Sequence, residues 1–121
     1  GYTAPAMQRE DAMIAVIFEV EPDPDNAQRY FDLAGALKPE LEKVDGFVSV
    51  ERFESLTQPG KYLSLSFWRD ETAAETWFRN AGHQRAQAEG RAGILRDYRI
   101  RVASVFRDYD MEGTRPETAP D

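Results

Sequence analysis

The chain contains no cysteine and a single histidine, His83. The first absence excludes a disulfide framework, a thiol nucleophile, cysteine-ligated zinc and iron–sulfur clusters, and the second leaves a conventional zinc site without its ligands. No glycine-rich phosphate loop such as G-x-G-x-x-G occurs, so no metal, flavin or nicotinamide cofactor is expected. Apolar runs stay far short of the ~20 residues that a membrane span requires. The start, Gly1-Tyr2-Thr3-Ala4-Pro5, has no basic segment leading into an apolar one, which sets the expectation of a cytoplasmic protein with no membrane partner. Positive charge is the scarce sign: 15 Lys and Arg stand against 22 Asp and Glu, a net of −7. A protein that wraps nucleic acid must neutralise many phosphates, so nucleic acid is not an expected partner either.

What remains is the composition of one globular domain, with 121 residues of which 41% are hydrophobic and 31% charged. Residues 1–12 are polar and Pro-containing and are read as an extension, with Gly1 as what tag removal leaves. Residues 13–109 form the domain. Residues 110–121, with two Pro, one Gly and four acidic residues, read as a mobile acidic tail or an arm laid on a partner. The basic residues gather late, with seven Arg between residues 79 and 107 against Glu89 and Asp97. These either decorate solvated faces or receive an anion or a partner subunit.

Met13 to Val20 is a β-branched apolar run bounded by Pro22 and Pro24, the pattern of a buried strand. Asp23-Pro24 is a helix start, and Ala27, Tyr30, Phe31, Ala34, Leu37, Leu41 and Val44 then recur at helical spacing. Pro39 falls inside that helix and predicts a kink, and Asp45-Gly46 closes it. Phe47 to Ser55 and Lys61 to Trp68 read as two strands joined by Gln58-Pro59-Gly60-Lys61, a type II turn. Asp70 caps a second helix with an apolar stripe of Ala73, Ala74, Trp77, Phe78 and Ala81, interrupted at Gly82 and resumed from His83 to about Glu89. Tyr98 to Tyr109 reads as a long final strand. The order β-α-β-β-α-β is a ferredoxin-like α+β sandwich, one antiparallel sheet with helices on one face.

Apolar residues occur on both sheet faces: Ala15, Ile17, Val48, Val50, Ala103 and Val105 on one if Phe18, Phe47 and Val102 point at the helices, or the reverse. A patch of that kind is rarely left in water, which predicts a homodimer packed sheet to sheet with a helix-side crevice left for a ligand.

Four stretches carry a family likeness over residues 13–109. They are Met13-Ile-Ala-Val-Ile-Phe-Glu-Val, Gly46-Phe-Val-Ser-Val-Glu-Arg-Phe-Glu-Ser-Leu, Pro59-Gly-Lys-Tyr-Leu-Ser-Leu-Ser-Phe-Trp68-Arg-Asp-Glu, and Trp77 with His83 followed by Asp97 to Tyr109. Together they resemble the antibiotic biosynthesis monooxygenase (ABM) domain. That resemblance implies a dimeric α+β barrel of ferredoxin-like protomers. It also implies activities that range over cofactor-independent oxygenation of polyphenols or quinols, haem degradation, and binding with no known turnover.

His83 is the only side chain that exchanges a proton near neutral pH without a perturbed pKa, which makes it the candidate base for a phenolic proton. The competing reading is a helix-start His facing solvent. Trp68, at the strand end where the family has a Trp, is the candidate orienting residue through its indole N–H, and Trp77 the ring that stacks on a flat small aromatic ligand. Tyr62 and Ser66, on the polar side of their strand, Phe18 and Tyr30 complete the expected substrate site, although core packing explains the aromatic ones as well. The haem-degrading branch implies an Asn on the first strand, absent here, and a His ten residues after the Trp, where this chain has Gln87. The resulting expectation is a monooxygenase of a small aromatic or quinol-like substrate; a noncatalytic ligand-binding dimer is the alternative, with a haem-binding or haem-degrading protein behind it.

Overall fold

In a computed structural model, described over residues 12–114, the chain runs β1 (Ile14–Pro22), α1 (Ala27–Glu42), β2 (Phe47–Glu54), β3 (Tyr62–Trp68), α2 (Glu71–Phe78), α3 (Ala81–Glu89), β4 (Leu95–Ser104), β5 (Tyr109–Asp110) and β6 (Gly113–Thr114). The extension expected at residues 1–12, save Ala12, and the end of the expected acidic tail lie outside the described residues. The main sheet is antiparallel throughout, in the order β2-β3-β1-β4. This is the ferredoxin-like α+β arrangement expected from the alternation of elements.

Local chemistry sets the boundaries. Asp23 accepts a hydrogen bond from Asp25 N–H (2.9 Å) and caps a 3₁₀ turn at Pro24–Asn26, so α1 starts at Ala27, one turn later than Asp23-Pro24 suggests. Pro39 is carried within α1, which runs on to Glu42. The type II turn is formed as expected, with Lys61 N–H donating to the Gln58 carbonyl (3.1 Å) and Gly60 at φ +88°. Asp70 accepts from Ala73 N–H at 2.8 Å and starts α2. The interruption after α2 falls at Asn80 rather than Gly82: the Asn80 side chain accepts from His83 N–H (3.0 Å) and begins α3 as a separate helix. A π turn over Gly90–Ile94, with Gly93 at φ +120°, leads into β4.

Two further expectations are corrected. The last strand spans Leu95–Ser104 rather than Tyr98 to Tyr109; beyond it, Tyr109–Asp110 and Gly113–Thr114 form a small hairpin that leaves Phe106 and Met111 almost wholly exposed. A bulge between Phe47 and Ser49 shifts the phase of β2, so Val50 shares the helix face with Phe47 instead of opposing it.

The helix-side core is split. One cluster gathers Ile14, Val16, Trp68, Ala73, Ala74 and Trp77 at one end of the sheet; the other gathers Val20, Tyr30 and Ile94 at the other end. The opposite face carries Ile17 on β1, Leu63, Leu65 and Phe67 on β3, and Phe53 on β2, with no helix over it among the described residues. Across this face Glu19 binds both Lys61 (3.3 Å) and Arg101 (2.9 Å).

Gly46 lies in the turn between α1 and β2 and packs against the first turn of α2. Its φ is +94°, and a Cβ there would lie 2.6 Å from the Ala73 Cβ. Gly46→Ala is expected to cost about 2 kcal/mol or more in urea unfolding, from backbone strain and overpacking together. Gly60→Ala shares the positive φ but meets open space, so its loss should be smaller. Equal losses would refute the packing argument.

Candidate functional site

A cavity of 280 Å³ separates the two core clusters, at the low end of the ~300–1,000 Å³ typical of small-molecule sites. Its floor is the sheet, with Val16 and Phe18 on β1, Val50 on β2, Ser64 and Ser66 on β3, and Tyr98 and Ile100 on β4. Its roof is α1, through Tyr30, Leu33, Ala34 and Leu37. Trp77, Phe78, His83, Gln87 and the π turn close one end.

The alternation of β3 explains why space exists here. Tyr62, Ser64, Ser66 and Trp68 share the inward face, large at both ends and small in the middle. Aromatics anchor the two core clusters, and serines between them leave room.

His83 sits at the third residue of α3, held there by the Asn80 cap. Its ring packs edge-on against Trp77 (centroids 4.9 Å apart) and against Phe78 (5.6 Å). Nε2 is buried and has no hydrogen-bond partner among the described residues. Burial holds the imidazole pKa below its ordinary value, because desolvation penalises the cation. The residue is therefore a half-buried imidazole whose surroundings favour its neutral form, in a largely apolar wall, rather than a solvent-facing helix-start His.

Of the other residues singled out from sequence, Phe18, Tyr30, Ser66 and Trp77 line the cavity. Tyr30 is buried, which pushes its phenol pKa up, with the Arg52 charge pulling the other way. Trp68 does not reach the cavity. It is 0% exposed, lies face to face with Trp77 (6.4 Å, 20° between planes) and donates its indole N–H to Ser66 Oγ at 3.0 Å. The two indoles are each other's partners, at a separation that leaves no slot for a ligand ring between them. Trp68 acts on the cavity indirectly: Ser66 Oγ accepts from it, leaving the serine proton to be donated elsewhere. Tyr62 also stands outside the cavity, edge-on to Phe31 at 5.0 Å.

Arg52, Tyr98, Gln87 and Lys38 line the cavity without having been singled out as site residues. The fold brings them in: Arg52 lies opposite Ser64 in the β2–β3 register, Tyr98 opposite Val20, and Gln87 one helical turn after His83. Each depended on the β2 bulge or on where α3 and β4 begin. No group of three or more His, Cys, Asp or Glu placed to hold a metal exists among the described residues, and no helix there is long and apolar enough to cross a membrane.

The fold has many solved counterparts. A Deinococcus radiodurans protein superposes with a TM-score of 0.74 at 18% identity, over 83% of this chain and 99% of that one. Rv0793 from Mycobacterium tuberculosis does so at 0.73 and 19%, over 82% and 100%. At such identities the likeness establishes the fold alone. In sequence, the chain is 48% identical over 93 residues to a Pyricularia oryzae protein named jasmonate monooxygenase ABM; the match takes in 77% of this chain but only 43% of that relative's length. The family model for antibiotic biosynthesis monooxygenase matches residues 13–89, so the chain belongs to the antibiotic biosynthesis monooxygenase family.

Proposed function

We propose that this domain is a monooxygenase that holds a small aromatic or quinol-like molecule in the helix-side cavity and oxygenates it with dioxygen, without metal or flavin. One observation carries the reading: the only imidazole in the chain is half-buried beside Trp77 in the cavity wall, with its pKa held below the ordinary value by burial and with Nε2 enclosed and without a hydrogen-bond partner among the described residues. His83 takes the phenolic proton of the bound substrate, and the electron-rich anion reacts directly with dioxygen. When the oxidised carbon is an activated CH₂, the stoichiometry is R₂CH₂ + O₂ → R₂C=O + H₂O. The substrate supplies all four electrons, so no co-reductant is needed. Trp77 and Phe18 flank the ring, Tyr30 roofs it, and Ser66, oriented by Trp68, donates to a substrate oxygen. Tyr62 supports the roof through Phe31.

A second reading follows from the name of the Pyricularia relative. Jasmonate is an alicyclic keto acid, and apolar walls such as Leu33, Leu37 and Ile100 accept such a body as readily as an aromatic one. Hydroxylating it takes two electrons from outside. Oxygen uptake with hydroquinones, and with jasmonate in the presence and absence of a reductant, separates the two readings; tight binding without uptake identifies a noncatalytic ligand-binding protein.

Where turnover is found, His83→Ala should lower kcat by about 10²-fold or more, the scale of a lost general base. A folded variant working at the wild-type rate would remove His83 from the reaction. The state of His83 has its own test in stability against pH. Its folded pKa is depressed, so as pH falls below about 6.5 the unfolded chain takes up a proton that the folded chain refuses. Unfolding free energy of the wild type should therefore decline relative to His83→Gln through that range and level off below the folded pKa. A flat difference would mean that the ring is solvated.

The domain works as a homodimer, its outward sheet faces packed together over Ile17, Leu63, Leu65 and Phe67. Sedimentation at micromolar concentration should give twice the 13.8 kDa chain mass, and Leu65→Asp should shift it toward monomer. A wild-type monomer would leave the outward apolar face unexplained.

A further inference from the structure

The polar group that the proposed chemistry does not use stands at the cavity mouth. There, between α1 and β2, Lys38 and Arg52 line the opening of a wall that is otherwise largely apolar. Arg52 alternates inward with Val50 and faces Ser64 across the β2–β3 ladder. Among the described residues it has no carboxylate partner, a state it shares with Arg29, Arg85, Arg91, Arg96 and Arg99, but of these Arg52 alone lines the cavity; Lys61 and Arg101 are taken by Glu19, Arg69 by Asp45 and Asp70, and Arg79 by Glu75. Lys38 meets Glu42 only at 4.0 Å, between two half-exposed side chains. Glu51, the acidic residue on the same rim, forms no ion pair with either cation.

β2 is an edge strand, and a lysine or arginine there also guards against unwanted pairing. Such a guard has no need to face a cavity. Arg52 does face it, and its charge reaches the buried Tyr30 hydroxyl on the opposite wall. The chain as a whole carries −7 and repels anions, so a local pair of exposed cations on the rim of an apolar cavity has a specific electrostatic consequence. A guanidinium binds a carboxylate in bidentate fashion, and a single negative charge is the most that one free Arg and one half-engaged Lys will match.

We infer that Arg52, assisted by Lys38, is an anion subsite at the cavity mouth, and that the substrate is an amphipathic monocarboxylate whose apolar body lies between α1 and the sheet. The inference rests on the reading of this cavity as the substrate site.

The test is binding rather than turnover. Titrate the full chain with 4-phenylbutanoate and with its methyl ester, following intrinsic tryptophan fluorescence and heat, in wild type, Arg52→Gln and Arg52→Lys. A charge-assisted contact predicts that the acid binds about 10-fold to 100-fold more tightly than the ester. Arg52→Gln should erase that preference and leave the ester's affinity unchanged, which also shows that the variant is folded; Arg52→Lys should restore part of it. Acid and ester binding alike, or Arg52→Gln weakening both equally, overturns the anion subsite and leaves the cavity as the substrate site. Binding of neither probe to the wild type overturns both.

Discussion

Two small side chains in the middle of β3 govern the molecule. A sheet covered by helices on one face normally closes its core along the whole interface, because every buried apolar side chain of Val or Leu size adds ~1.5–3 kcal/mol. Here Ser64 and Ser66 stand on the sheet beneath the middle of α1, where the cavity lies, while Tyr62 and Trp68 fill the two ends. Stability is concentrated in two clusters, one under α2 and one under the start of α1 and the π turn. The cavity between them is the stability that the domain forgoes, and it is what allows a ligand to lie against His83.

The state of His83 depends on the same division. The Asn80 side chain starts α3 so that the third residue of the helix turns in beside Trp77, and Trp77 is itself fixed by stacking on the fully buried Trp68. The rigid indole pair gives the imidazole an apolar neighbour that cannot be exchanged for water. Desolvation then holds the ring's pKa below its ordinary value. Trp68 also ties Ser66 through its indole N–H, so one buried residue braces the ring on one side of the cavity and the hydroxyl on its floor.

Much of this was legible in the chain, and the limits were physical. Element order followed from period and punctuation: Asp70 before an alanine-rich stripe, Pro59-Gly60 between two strands, alternation through β3. His83, Trp77, Ser66, Tyr30 and Phe18 were picked out and do line one cavity. Periodicity tells which face a side chain takes but not how far along the sheet it lies, and for that reason Tyr62, inward-facing at the strand end, looked like a cavity residue; Trp68 was singled out by its place in the family pattern, which does not say how far from the cavity it lies. Phase errors hid others. The bulge after Phe47 puts Val50 and Arg52 inward, and nothing short of the β2–β3 register reveals it. Asn80 is an ordinary cap residue three positions before His83, yet Gly82 was the louder signal for the break. Gly82 has a different job: it is buried, and a Cβ on it would lie 2.6 Å from the Glu40 carboxylate, so it marks the close approach of α1 and α3.

The most informative strand remains β3, because its polarity is the reverse of what its surroundings suggest. In an antiparallel sheet with helices on one side and water on the other, apolar residues belong under the helices and polar ones outside. On β3 the residues under the helices include Ser64 and Ser66, and those pointing away are Leu63, Leu65 and Phe67. Neither half of that inversion stabilises an isolated domain. Serines on the inside are tolerable when something polar or a ligand meets them, and leucines on the outside when another surface covers them. The proposed cavity ligand answers the first and the proposed sheet-to-sheet dimer the second. A single alternating strand therefore argues for both, with each of its faces incomplete without a different partner.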